Sequence, residues 1–303
     1  MYCVHHIPSR DPNQHNMLEL TFEPVIQPIN WPIFSDAEVE VYMKREDTIH
    51  PFLSGNKWRK LKYVLADARE KEKTTLVSFG GAYSNHLVAL ACAGAMYGFK
   101  TMAFVRGENV SNHMLGLCVT WGMELRFVSR EAYKNKQQLF DSNAHQDWYF
   151  IDEGGKGELA MKGCEEILNS VDGFTHVACA IGTGTTFAGL AKAAIIKGMH
   201  ADGICVLKGA EALNIEIEAS IGHKHSWTVH HQFHEGGYAK TGPQLFDFMD
   251  DFAQQTGILL DQVYTAKMVR AVIELTQQGY YKKGDKILLI HTGGLLGSLS
   301  RYA

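Results

Sequence analysis

Thr75-Leu76-Val77-Ser78-Phe79-Gly80-Gly81-Ala82-Tyr83-Ser84-Asn85-His86 reads as a strand, a glycine-rich turn and the start of a helix. Residues 75–78 are a short apolar run of strand type. Ser84 stands where a helix needs a side-chain acceptor for its first amides, and Gly98 stands where the chain must leave the helix left-handed, so a helix is predicted over 84–97. Downstream the order repeats. Strands are expected at 101–105, 124–128 and 148–151, with helices at 112–121 and 131–143. Short apolar strands that alternate with helices make a parallel sheet covered by helices, an α/β architecture.

The Gly-rich run at 152–157 breaks the pattern and is the candidate boundary. A second set follows: a helix at 158–170, a strand at 176–181, a helix at 185–197 and a strand at 203–207. A late helix after Asp261 carries Tyr264, Met268, Ala271, Val272 and Leu275 on one face, and a strand at 287–290 runs into His291-Thr292-Gly293-Gly294. Residues 216–242 are polar and rich in His and Gly, which reads as loop. Upstream, residues 1–37 hold five of the 7 prolines and read as an extended lead-in, with a short strand at 18–22. Val39 and Val41 mark another strand.

Two further stretches carry chemistry. Ser54-Gly55-Asn56-Lys57-Trp58-Arg59-Lys60-Leu61 sets a lysine between a Gly-Asn turn and a helix whose apolar stripe is Trp58, Leu61, Val64, Leu65 and Ala68. The positive end of the helix dipole and burial in a cleft both disfavour the ammonium form of Lys57. A neutral lysine there can form a Schiff base with an aldehyde or ketone. The plain alternative is a solvated basic helix start. The other stretch, Ala180-Ile181-Gly182-Thr183-Gly184-Thr185-Thr186-Phe187, is a strand, a Gly/Thr turn and a helix, a layout that receives one phosphate on backbone amides and hydroxyls. It lacks the Gly-Lys-Ser/Thr of a Walker loop, and Phe187 stands where a dinucleotide fingerprint needs its third glycine.

The totals exclude several classes. The chain has 303 residues, 46% hydrophobic and 20% charged, with net charge −4 and both signs interspersed, so there is no nucleic-acid footprint. The longest mostly apolar run, 87–99, is too short to cross a bilayer. The N-terminus has no secretory pattern, and 6 cysteines without a Cys-x-x-Cys pair fit a reducing cytoplasm. His223, His225, His230, His231 and His234 lack the spacing of a metal site, and no metal is expected.

Together, Lys44-Arg45-Glu46-Asp47, the 54–61 octet and Ser84-Asn85-His86 resemble the 1-aminocyclopropane-1-carboxylate deaminase/D-cysteine desulfhydrase family. The resemblance runs from about residue 18 to the C-terminus. It implies a pyridoxal-phosphate enzyme of the tryptophan-synthase-β fold type (fold type II), with two open, twisted, mostly parallel sheets flanked by helices. The implied domains are a large cofactor-binding unit of 1–58 plus 153–303 and a small inserted unit of 59–152. The resemblance makes Lys57 the Schiff-base lysine that later moves the α-proton, and brings Lys60 to the phosphate. Gly182, Thr183, Gly184, Thr185 and Thr186 wrap that phosphate, and Asn85 bonds the ring hydroxyl. Ser84, Asn85 and His86 contact substrate, with Ser84 assisting proton transfer, and Tyr238 and Tyr264 are the two active-site tyrosines. It also implies a small amino-acid substrate and a homodimer.

Two positions bear on the reaction within that family. Thr265, opposite the pyridine nitrogen in the resemblance, stands where a deaminase carries glutamate, and Thr292 stands where a deaminase is apolar. A hydroxyl cannot hold the ring nitrogen protonated as a carboxylate does, so the cofactor is a weaker electron sink, sufficient for a good leaving group such as sulfide. The expectation is therefore elimination from D-cysteine to pyruvate, ammonia and sulfide, with cyclopropane ring opening as the alternative. A nicotinamide-dependent oxidoreductase built on Gly182 and Gly184 and a non-catalytic pyridoxal-phosphate binder stand as readings from other classes.

Overall fold

The computed structural model describes residues 23–53, 55–222 and 226–298. The strand expected at 18–22, together with Ser54, His223 and His225, lies outside the described residues. In chain order the elements are β1 (Ile26–Pro28), α1 (Pro32–Asp36), β2 (Glu40–Lys44), α2 (Asn56–Glu70), β3 (Thr75–Gly80), α3 (Asn85–Tyr97), β4 (Lys100–Arg106), α4 (His113–Thr120), β5 (Glu124–Val128), α5 (Lys136–Asp141) and β6 (Trp148–Phe150). There follow α6 (Glu158–Glu165), β7 (His176–Ile181), α7 (Thr185–Ile196), β8 (His200–Cys205), α8 (Leu213–Ile221), β9 (Trp227–His230), α9 (Pro243–Thr256), α10 (Thr265–Gln277), β10 (Lys286–Ile290) and α11 (Leu295–Ser298).

The strands form two sheets, ordered β5-β4-β3-β6 and β1-β2-β10-β7-β8-β9. Every pairing is parallel except β1 with β2. The architecture is the α/β arrangement of two mostly parallel sheets read from the sequence. In the four-stranded sheet, Leu76, Ala103 and Val105 pack with α2, α3 and α4, while Val77, Phe79, Met102 and Phe104 face Tyr133. The six-stranded sheet buries Val41, Met43, Ala178 and Leu289 against α9 and α10, and Val177, Cys179 and Leu288 on its opposite face, with α7.

Three glycine-mediated approaches set the geometry between the sheets. A Cβ on Gly163 of α6 would sit 1.8 Å from the Arg59 carbonyl of α2, and one on Gly189 of α7 would sit 2.5 Å from the Met161 carbonyl of α6. So α6 is wedged between the lysine helix and the helix of the Gly/Thr turn at backbone contact. Gly55, at φ 59, brings the start of α2 so close to Thr292 that a Cβ would lie 2.0 Å from its carbonyl oxygen. On α2 the predicted stripe is buried, with Leu61 and Leu65 at 0% exposure, each contributing about 2 kcal/mol.

Several elements differ from the sequence reading. The helix expected at 131–143 divides into a 3₁₀ turn, Ala132–Lys134, and α5, because the Asn135 side chain accepts from the Gln138 amide and starts a new helix. The helix expected at 158–170 stops as α6 and continues as a 3₁₀ turn over Glu166–Leu168. β8 begins at His200, ahead of the apolar run, since His200 and Asp202 join a polar cluster under the sheet. The segment 216–242 is not all loop: α8 and β9 occupy its first half, with β9 on the edge of the sheet beside β8, where one face needs few apolar residues. α9 forms where the sequence pattern predicts no helix; Pro243 opens it, and Leu245, Met249 and Phe252 bury its stripe.

Candidate active site

A cleft of about 1070 Å³ opens where the carboxyl ends of β3, β6, β7 and β10 meet, the end at which parallel α/β sheets bind ligands. Its wall includes Lys57, Lys60, Ser84, Asn85, His86, Gly182, Thr183, Gly184, Thr186, Tyr238, Tyr264 and Thr292, residues drawn from stretches up to 235 positions apart in the chain. Thr185 and Thr265 are not in the wall. Thr185 is buried in the first turn of α7. Thr265 is wholly buried and donates its hydroxyl to Asp261 Oδ1 at 2.9 Å. In its place Asp261 reaches the cleft.

Lys57 is the second residue of α2, and its Nζ donates to Asn56 Oδ1 at 2.8 Å. The Asn56 amide in turn donates to Thr186 Oγ1 at 2.8 Å, which ties the lysine helix to the first turn of α7. Burial, and then the charge of Lys60, pushes the Lys57 ammonium down to about 7. The lysine keeps some exposure, toward the cleft, so its amine is both short of solvation and reachable. Burial also lowers Lys60, whose Nζ donates to the Gly154 carbonyl at 2.8 Å and lies 3.5 Å from Thr183 Oγ1.

The start of α2 is held by the 44–47 run. Arg59 makes a bidentate pair with the fully buried Glu46, at 2.8 and 3.0 Å, and the Glu46 carbonyl accepts the Gly55 amide at 2.9 Å. Arg45 grips Asp47 the same way, at 2.9 and 2.8 Å. Arg45, Asp47, Glu46 and Arg59 are therefore paired with one another, while Lys57 and Lys60 lie in the cleft wall.

A helix start suited to an anion adjoins it, across the Asn56–Thr186 bond. Gly184, at φ 82, opens α7 without a side-chain cap, so the first amides of a 12-residue helix point out beside Thr183 and Thr186. A second helix start, α3, is capped by Ser84, whose Oγ accepts the Leu87 amide at 3.3 Å. His86 is buried and bonds Ser78 Oγ at 2.8 Å; because Ser78 gives its own proton to the Ile151 carbonyl, Nε2 of His86 is the protonated nitrogen. Burial, then Lys57 and Lys60, hold this imidazole well below its ordinary pKa, hence neutral.

Tyr264 stands against Gly182, 3.0 Å from where a Cβ would be, and its phenol is held well above its usual range by burial and by Tyr238 beside it. The two rings meet edge to face at 6.1 Å. Asn56 and Asp261 are two wall residues to which the sequence assigns no role. Asn56 stands in the quoted octet, and Asp261 precedes the α10 start, where its carboxylate accepts the Val263 and Tyr264 amides.

Of the histidines weighed for a metal, His230 bonds Asp202, His231 bonds Asn214, and His234 accepts the Gly236 amide. Among the described residues no group of three His, Cys, Asp or Glu is arranged to hold a metal ion, and no helix is long and apolar enough to cross a membrane.

The donor set fits pyridoxal phosphate: an amine near neutrality for the aldehyde, an uncapped helix start with hydroxyls for the phosphate, and one cleft large enough for a ring. Comparison with known proteins agrees. The chain matches the family "Pyridoxal-phosphate dependent enzyme" over residues 28–293. It is 31% identical over 289 residues to a Thermotoga maritima protein provisionally named 1-aminocyclopropane-1-carboxylate deaminase, covering 85% of this chain and 89% of that one. It is 28% identical over 290 residues to the D-cysteine desulfhydrase of Klebsiella pneumoniae, covering 84% and 87%. A solved structure of an ACC deaminase homologue superposes with a TM-score of 0.79 at 25% identity, over 92% of this chain and 91% of that one. The nicotinamide reading of Gly182 and Gly184 is set aside: the chain belongs to the pyridoxal-phosphate dependent enzyme family and takes that cofactor.

Proposed function

We propose that this enzyme is a carbon–sulfur lyase that converts D-cysteine and water to sulfide, pyruvate and ammonia. The observation that carries the reading is the near-neutral Lys57 amine in one cleft with the uncapped Gly182–Thr186 turn. When bound, pyridoxal phosphate supplies a sink for the electron pair left at the substrate Cα. The α7 amides, Thr183, Thr186 and Lys60 hold the phosphate. The α3 start, with Ser84, Asn85 and His86, holds the substrate carboxylate. Lys57 takes the α-proton, and the carbon–sulfur bond breaks with its electron pair leaving on sulfur. Tyr238 and Tyr264, in the same wall, hydrogen-bond the departing thiolate. On this reading the chain divides into a small unit of 59–152 and a larger unit of 1–58 plus 153–303, with the cleft between them.

Ring opening of 1-aminocyclopropane-1-carboxylate is the second reading, favoured by Asp261, a carboxylate in the cleft wall. Its oxygens already accept from the Val263, Tyr264 and Thr265 amides and the Thr265 hydroxyl, at 2.8 to 3.0 Å. That disperses the charge that would otherwise hold a ring nitrogen protonated, which supports sulfide elimination. Assaying both substrates with sulfide trapping and pyruvate detection tests the choice. Pyruvate from the cyclopropane amino acid, with no sulfide from D-cysteine, would refute it.

A further inference from the structure

Lys267 is a lysine with 0% exposure, set three residues into α10 and unused by the chemistry above. Its Nζ donates to two backbone carbonyls of one loop, His234 at 2.9 Å and Gly237 at 2.7 Å. One turn on, on the same face of the helix, Arg270 Nη1 lies 2.8 Å from Glu235 Oε1. The segment 234–237 is thus gripped at three points by one helix face. Phe233, buried in the core, pins the loop's upstream end. The next residue downstream is Tyr238, which emerges at 51% exposure on the cleft wall against Tyr264. Tyr264 itself immediately precedes α10.

Burying an ammonium is costly unless its donors are met, and an apolar side chain of that length would fill the same space without the cost. Here two of its three donors are met by carbonyls of the segment that delivers Tyr238. We propose that the Lys267/Arg270 face of α10 is a clamp that positions Tyr238, so that one helix sets both tyrosines of the cleft, Tyr264 by its start and Tyr238 by its grip. Lys267 is then a positioning residue: it touches neither substrate nor cofactor and acts through the 234–237 backbone. Glu235 and Asp261 are the acidic groups near its ammonium, and neither replaces the two carbonyls.

The clamp rests on the reading of Tyr238 as a cleft residue that serves turnover, and the test separates the two. In the holoenzyme, Lys267→Met should leave the visible band of bound cofactor intact, speed amide exchange at 234–240 at least tenfold with β7 unchanged, and lower kcat about tenfold. Adding Tyr238→Phe to Lys267→Met should cost no further activity, although Tyr238→Phe alone does. Unchanged exchange at 234–240 in folded Lys267→Met, or an equal cost of Tyr238→Phe in both backgrounds, overturns the clamp. Should Lys267→Met fail to fold, Arg270→Gln, at the half-buried end of the grip, is read by the same two measurements, with the same outcomes against it. Wild-type turnover of Tyr238→Phe alone overturns instead the reading of the cleft on which the clamp rests.

Discussion

Asn56 Nδ2 donates to Thr186 Oγ1 at 2.8 Å while Asn56 Oδ1 accepts the Lys57 amine, so one side chain links the start of α2 to the first turn of α7. Both halves of that amide are in use, and both lie against the cleft. Asn56→Ala should leave the Thr186 hydroxyl and the Lys57 amine each short of a partner. A lost bond at a buried site costs about 1–2 kcal/mol. We therefore expect roughly tenfold weaker binding of pyridoxal phosphate, read by spectrophotometric titration of the cofactor-free protein. Unaltered affinity would show that the bridge does not order the site.

The depressed Lys57 pKa predicts how cofactor capture varies with pH. A lysine lowered to about 7 is mostly ammonium at pH 6 and mostly free amine at pH 8. Capture of pyridoxal phosphate by the cofactor-free protein should accelerate across that window. Lys60→Gln removes one of the two causes of the depression, so the Lys57 pKa should rise and the midpoint move to higher pH. A midpoint that stays in place, or moves down, would contradict the assigned cause.

Gly55→Ala should be among the most damaging single changes near the site. Its Cβ would fall 2.0 Å from the Thr292 carbonyl oxygen, at a φ of 59 that disfavours side chains. The start of α2 must then retreat from β10, carrying Lys57 with it. The expected outcome is loss of the lysine-bound cofactor's visible band, together with a fall in thermal stability. A variant with normal absorbance would mean that the α2 start tolerates displacement.

At the other end of the sheet Asp202 accepts from His176, His230, Tyr280 and Tyr281, at 2.9, 3.1, 2.9 and 3.4 Å. It is fully buried, and although burial alone would raise it, the hydrogen bonds of His176 and His230 bring its pKa to about 2. A carboxylate lowered on folding stabilises the fold above its unfolded pKa and loses that contribution as pH falls toward its folded one. The contribution is on the order of 2 kcal/mol, lost between about pH 4 and pH 2. Asp202→Asn should lower stability at pH 7 by about that amount and flatten the acid limb over the same interval, measured by denaturant unfolding at several pH values. An unchanged acid limb would remove Asp202 from the account.

Much of this protein was legible as local pattern. The stripe from Trp58 to Ala68, the Ser84 cap and the strand–turn–helix at 176–196 each follow from contacts within a few residues, and all three appear in the structure. The chemical character of Lys57 follows from its position at a helix start, and the cofactor from the family resemblance that the 44–47, 54–61 and 84–86 stretches carry. Where partners came from elsewhere in the chain, local reading failed. β8 starts on His200 because Asp202 is satisfied by β7, β9 and the segment before β10, and β9 shows weak periodicity because an edge strand buries little.

The sequence alone therefore determined that a lysine, a Gly/Thr turn and a capped helix start existed, since each needs only its neighbours' backbone geometry. Tertiary structure decided that they share a cleft, that Asp261 rather than Thr265 reaches its wall, and that Asn56 and Lys267 brace it. The physical reason is close packing. Gly163 and Gly189 let α6 wedge α2 and α7 at backbone contact, and what that spacing brings together across more than a hundred residues leaves no periodicity along the chain.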